Sequence, residues 1–158
     1  MDNNQTWEGY GISKARKYLK ELPASLNMRL TLWYDKTLLE KFNGNHWKVK
    51  KELEAVVENT KKKYLQSPTL IIKINPVIDS IRYVNRIIYI DENTLVERSG
   101  VNCCSSLNCY FVENYERPAG GVAQGPMPCP AVNINFYGNL THATNIFAHE
   151  FGHNLDMT

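Results

Sequence analysis

Residues 28–34 read Met-Arg-Leu-Thr-Leu-Trp-Tyr, and residues 46–65 read His-Trp-Lys-Val-Lys-Lys-Glu-Leu-Glu-Ala-Val-Val-Glu-Asn-Thr-Lys-Lys-Lys-Tyr-Leu. In the first stretch Met28, Leu30, Leu32 and Tyr34 alternate with Arg29, Thr31 and Trp33, the two-residue period of a β-strand. In the second, Val49, Leu53, Val56, Val57, Thr60 and Tyr64 form one stripe at helical spacing, with Lys and Glu elsewhere, and Ser67-Pro68 closes it. Residues 69–74 are expected to form a strand that Asn75-Pro76 ends, and residues 86–90 another, buried on both faces. Strand, long helix, strand, strand opens an α/β (α+β) domain, a mixed sheet flanked by helices.

Outward from this core the pattern changes. Ile12, Ala15, Tyr18, Leu19 and Leu22 recur at helical spacing before Pro23, so residues 1–25 read as a short packed helix or the tail of a removed segment, and 26–158 as one domain. Residues 91–130 lose regular periodicity and hold all the cysteines: Cys103, Cys104, Cys109 and Cys129. A stretch this long without regular structure is usually functional or held by disulfides. Within it, residues 119–124 (Ala-Gly-Gly-Val-Ala-Gln) suit a short edge strand. Residues 131–136 alternate again, and Thr141 or His142 opens a last helix.

Hydrophobic residues make up 43% and charged residues 22% of the 158, the balance of a globular protein. The formal net charge is +2, and no basic stripe with interleaved aromatics is present, so nucleic acid is not an expected partner. The run Lys61-Lys62-Lys63 reads as a solvated helix face. No apolar run is long enough to span a membrane. The polar start, Met1 to Gln5, is not a signal peptide, which leaves a cytosolic protein or a piece of a longer precursor. The cysteines favour the second. None forms a Cys-x-x-Cys pair, and their clustering points to disulfides and a secreted, extracellular location. Cys109 with Cys129 is the favoured pair, with a partner beyond this chain the rival for any of the four. The sequons Asn4-Gln5-Thr6 and Asn139-Leu140-Thr141 are compatible with secretion.

The last helix carries His149-Glu150-Phe151-Gly152-His153. Histidines four apart lie on one helix face, one turn apart, so both imidazoles can reach one Zn2+. Glu150, beside the first, is placed to take a proton from an activated water. Ile146 shares that face; Phe147, Phe151 and Leu155 share another, suited to packing on the sheet. His142 reads as an exposed residue near the helix start, and His46, after Asn43-Gly44-Asn45, as a loop or cap residue.

Residues 145–157, Asn-Ile-Phe-Ala-His-Glu-Phe-Gly-His-Asn-Leu-Asp-Met, resemble the zinc helix of the metzincin metallopeptidases. They look most like the adamalysin (reprolysin) branch, where Ala-His-Glu-Leu-Gly-His-Asn-Leu-Gly-Met is typical. More weakly, residues 29–35 are similar to that family's first strand, and residues 119–129 to its substrate-binding edge strand and following cysteine. The resemblance implies a metzincin-like twisted sheet. It also implies zinc held by His149 and His153, Glu150 as general base, and substrate along Gly121, Val122 and Ala123. It further implies a third histidine six residues after His153, one position beyond Thr158, and a methionine turn further on, so the site would be completed past this chain. The family has glycine where this sequence has Asp156.

Two readings follow. One is a secreted zinc endopeptidase acting on protein or peptide substrates. The other is a catalytically inactive binding protein that keeps the fold, which Asp156 and the third ligand missing from this chain favour.

Overall fold

The computed structural model describes residues 25–98, 105–114, 120–124 and 130–154. Five strands form one mixed sheet: β1 (Ser25–Asp35), β2 (Lys73–Val84), β3 (Leu107–Val112), β4 (Gly121–Gln124) and β5 (Ala131–Asn135). Their order is β2-β1-β3-β5-β4. The first four in that order run parallel, and β4 pairs antiparallel to β5 at the far edge. Helices α1 (Lys36–Lys41), α2 (His46–Thr60), the short α3 (Leu95–Arg98) and α4 (Leu140–Asn154), with a π-helix at Lys61–Leu65 continuing α2, complete the described elements. The molecule is an α+β domain with a mixed sheet flanked by helices.

The alternation in β1 places its two faces in two different cores. Leu30, Leu32 and Tyr34 join the main core with Leu53, Val56, Phe111, Ile134, Phe147 and Phe151 from α2, the sheet and α4. Trp33 faces the other way, against Ile88, Ile90, Tyr110 and Val112. Its ring stacks on Tyr110 with centroids 5.5 Å apart.

Helix α2 starts where Asn45 accepts a hydrogen bond from the Lys48 N–H at 3.1 Å, so His46 is its first residue rather than its cap. Before it, Asn43 and Gly44 take left-handed φ angles of 55° and 74°, which turn the chain out of α1. The helical path continues to residue 65, but Lys61–Leu65 winds as a π-helix, with the Gln66 N–H bonded to the Lys61 carbonyl. The wider turn moves the core position by one residue. Leu65, five after the buried Thr60, is buried, while Tyr64 is 37% exposed. The expected apolar stripe therefore ends on Leu65, not Tyr64.

Three sequence expectations are corrected. The strand placed at 69–74 begins at Lys73 and runs to Val84, through Asn75-Pro76. Pro76 stands opposite Met28 in the outermost strand, where a missing N–H need not interrupt a ladder on both sides. Residues 86–90 are not a strand. Ile88 and Ile90 are buried, but Ile87 and Tyr89 are 46% and 44% exposed. The segment lies over the second core and spends its backbone groups on side chains: the Ile88 N–H donates to Asp35 at 2.8 Å, and Asn133 donates to the Ile90 carbonyl at 2.9 Å. Finally, residues 91–130 are not wholly irregular. Leu107–Val112 is a central strand buried at every position. Its Asn108, which interrupts the apolar pattern, accepts a hydrogen bond from the Trp33 indole at 3.0 Å.

Cys109 sits in that strand as a free, fully buried thiol whose ionisation is pushed up by burial, so it is not the disulfide half-cystine expected with Cys129. Cys103, Cys104 and Cys129 lie outside the described residues, as do residues 1–24 with their helical pattern.

Candidate metal centre

Helix α4 begins earlier than the sequence suggested. Asn139 caps it, its side chain accepting from the His142 N–H at 2.7 Å, after Tyr137 and Gly138 turn the chain with positive φ. Phe147 and Phe151 anchor the helix, with ring centroids 5.6 Å apart and both fully buried. The opposite side of the helix then presents its polar face along β4.

On that face His149 and His153 are exposed, with their Nε2 atoms 3.0 Å apart. Glu150 stands between them in sequence but is 93% buried, at 7% exposure. Its burial has a specific cause. A Cβ placed on Gly121 of β4 would lie 2.6 Å from Glu150 Cγ and 2.9 Å from its Oε1. A Cβ on Gly120 would lie 2.9 Å from Ile146 Cδ1. The glycine pair lets the edge strand lie directly on the helix, and the Glu150 side chain occupies the space a β-carbon would need. Val122 and Ala123 turn inward instead, against the second and the main core respectively.

An open cleft of about 370 Å³ runs along this junction, lined by Gly120, Gly121, His142, Asn145, Ile146, His149 and Glu150. Four of these, Gly120, His142, Asn145 and Ile146, were not read from the sequence as site residues. His142 is exposed, as expected, with its ring edge-on to Tyr137 at 4.9 Å, but it also lines the cleft. Asn145 lies one turn before His149. The signal was present: positions 142, 145, 146, 149 and 150 share one helical face.

The two imidazoles fit a zinc ion. Their separation is less than twice a zinc–nitrogen bond of about 2.0–2.1 Å. Among the described residues no group of three or more His, Cys, Asp or Glu comes together around a metal position, so a third protein ligand is not among them.

No family model and no curated protein matches this chain. A solved structure of a chaperone-substrate complex contains a chain similar to 85% of this one, with a TM-score of 0.63 and 14% sequence identity. This chain spans 24% of that chain's length. The likeness is one of fold. No helix among the described residues is long and apolar enough to cross a membrane.

Proposed function

We propose that the chain carries the zinc helix and the edge strand of a secreted metalloendopeptidase that hydrolyses peptide bonds in protein substrates. The observation that carries this reading is the arrangement on α4: two exposed imidazoles with Nε2 atoms 3.0 Å apart, and a buried carboxylate next to the first, seated against an antiparallel edge strand.

Zinc, when bound, supplies a Lewis acid that polarises the scissile carbonyl and acidifies the attacking water. His149 and His153 would hold it, and Glu150 would take a proton from the attacking water and pass it to the leaving amine. Burial beside Gly121 restricts the carboxylate to one side of the cleft, so its position is set before substrate arrives. The substrate lies extended against β4 and adds a strand to the sheet. Because Val122 and Ala123 face inward, β4 meets the substrate through its backbone, which suits an enzyme that accepts many sequences along that edge.

Zinc uptake tests the ligand assignment. The protein is dialysed against a zinc buffer and its metal content is measured beside the His149→Ala/His153→Ala variant. With two imidazoles where catalytic zinc normally uses three protein ligands, the parent takes up zinc more weakly than a complete site would, and the variant takes up less still. Equimolar zinc held tightly by the variant would remove these residues as ligands. The second reading, a binding protein without a working site, rests on Asp156 standing where the resembled family has glycine. It is told apart by peptide binding without cleavage in zinc-loaded protein.

A further inference from the structure

We infer that the catalytic cleft continues into a basic groove that docks an acidic segment of the protein substrate. A second open cavity, of about 360 Å³, lies between the end of α2 and the start of α4, lined by Asn59, Lys62, Lys63, Thr141, Thr144 and Asn145. Asn145 is common to both cavities, so a chain leaving the cleft past His142 meets this groove next.

The π-helix at Lys61–Leu65 builds the groove wall. By moving Leu65 into the core, it leaves Lys63 and Tyr64 to face α4. Lys63 Nζ donates to Asn145 Oδ1 at 3.1 Å and Tyr64 donates to the same oxygen at 2.9 Å. With Oδ1 occupied twice, Asn145 has its amide N–H groups to offer a ligand. The lining holds two lysines and no carboxylate. Among the described residues the carboxylate paired there is Glu58, on Lys62 at 3.6 Å with both side chains more than half exposed, a pairing weak enough to yield to an incoming acid. The start of α4 adds the positive end of its dipole on the same side. The lysine run that reads as a solvated face thus has a ligand-facing role, and the ligand is an acidic stretch of polypeptide rather than a polyanion, since the groove is short and the chain carries a net charge of only +2.

Docking does not require cleavage, so the proposal rests on the hydrolase reading only for what happens to the bound chain. Three labelled peptides share one neutral core and end in three glutamates, three glutamines or three lysines. Their binding to the whole chain is followed by fluorescence anisotropy at low and high salt, beside Lys62→Glu and Lys62→Gln/Lys63→Gln. The glutamate peptide is expected to bind about fivefold or more tighter than the glutamine peptide at low salt, an advantage lost in high salt and in both variants. Circular dichroism of the variants shows whether they stay folded, and the double neutral variant carries the test if Lys62→Glu does not. Equal binding of the three peptides would overturn the proposal. So would a glutamate preference that survives in folded variants, or binding to a sulfated glycan or RNA without any peptide preference. A charge preference without hydrolysis would uphold the groove and count against the hydrolase.

Discussion

Gly121 of β4 and Glu150 of α4 share one space: a Cβ on the glycine would lie 2.6 Å from the glutamate Cγ. The edge strand and the candidate base are therefore positioned by each other. Gly121→Ala must push the carboxylate aside, and displacing a catalytic group by about 1 Å costs roughly 100-fold in rate. We predict a fall in kcat larger than any rise in KM, together with about 1–3 kcal/mol of lost stability from overpacking. Gly120→Ala is the control. It meets the tip of Ile146, which can rotate, so its kcat should change little. Equal kinetic effects at the two glycines would show that the Gly121 contact does not position Glu150.

The π-helix makes a second prediction. Leu65 is buried in the main core and Tyr64 is partly exposed, bonded to Asn145. Leu65→Ala should cost about 2–5 kcal/mol as a core truncation. Tyr64→Phe should cost no more than about 0.5–1.5 kcal/mol, the worth of one hydrogen bond. Urea unfolding of both variants decides it. A larger loss at Tyr64 would restore the regular helical stripe that the sequence suggests.

Much of this fold is written in periodicity, and the exceptions have physical causes. The two faces of β1 and the length of α2 follow from simple spacing. β3 does not, because a strand buried on both faces has no alternation to read, and its Asn108 looks like a loop residue until Trp33 supplies its partner. Residues 86–90 read as a buried strand because they form a short apolar run, yet only Ile88 and Ile90 join the core with Trp33 and Tyr110, and the segment's hydrogen bonds go to Asp35 and Asn133. The His149, Glu150 and His153 face was legible from a four-residue spacing. The seat that Gly121 provides was not, since it depends on how closely two elements distant in sequence approach.

Asp35 links β1, α1 and the segment over the second core. Its fully buried carboxylate accepts hydrogen bonds from the Leu38 N–H at 3.1 Å, Thr37 at 2.6 Å and the Ile88 N–H at 2.8 Å. Burial raises its pKa, and these hydrogen bonds offset the rise only in part. A folded-state pKa above the unfolded value near 3.9 means the native state holds the proton more tightly. The contribution of Asp35 to stability is thus complete below about pH 4 and declines as pH rises through the raised pKa. Asparagine does not titrate, so the stability difference between the parent and Asp35→Asn isolates this term. That difference should fall with rising pH from about 4 and then level off. A difference that grows over the same interval would mean the hydrogen bonds outweigh burial.

Cys109 provides a chemical check on β3. Its thiol is fully buried, its ionisation is suppressed by burial, and its Sγ contacts the Leu107 carbonyl at 3.8 Å. Iodoacetamide should leave it unmodified in native protein and label it in denatured protein without reductant. Rapid native labelling, or a disulfide to Cys129 in a non-reduced digest, would contradict the placement of this strand.

The measurement closest to the central claim is peptide hydrolysis by the zinc-loaded parent, extended past Thr158 to include the third ligand the resemblance implies, and by its Glu150→Gln variant at matched zinc content. Glutamine keeps the size and seat of Glu150 beside Gly121 but cannot accept the proton. The parent is predicted to cleave a generic peptide library, and Glu150→Gln to bind the same zinc with kcat lowered by about 10²–10⁴-fold. Cleavage by the variant at the parent rate, or none by the parent with zinc bound, would contradict the account.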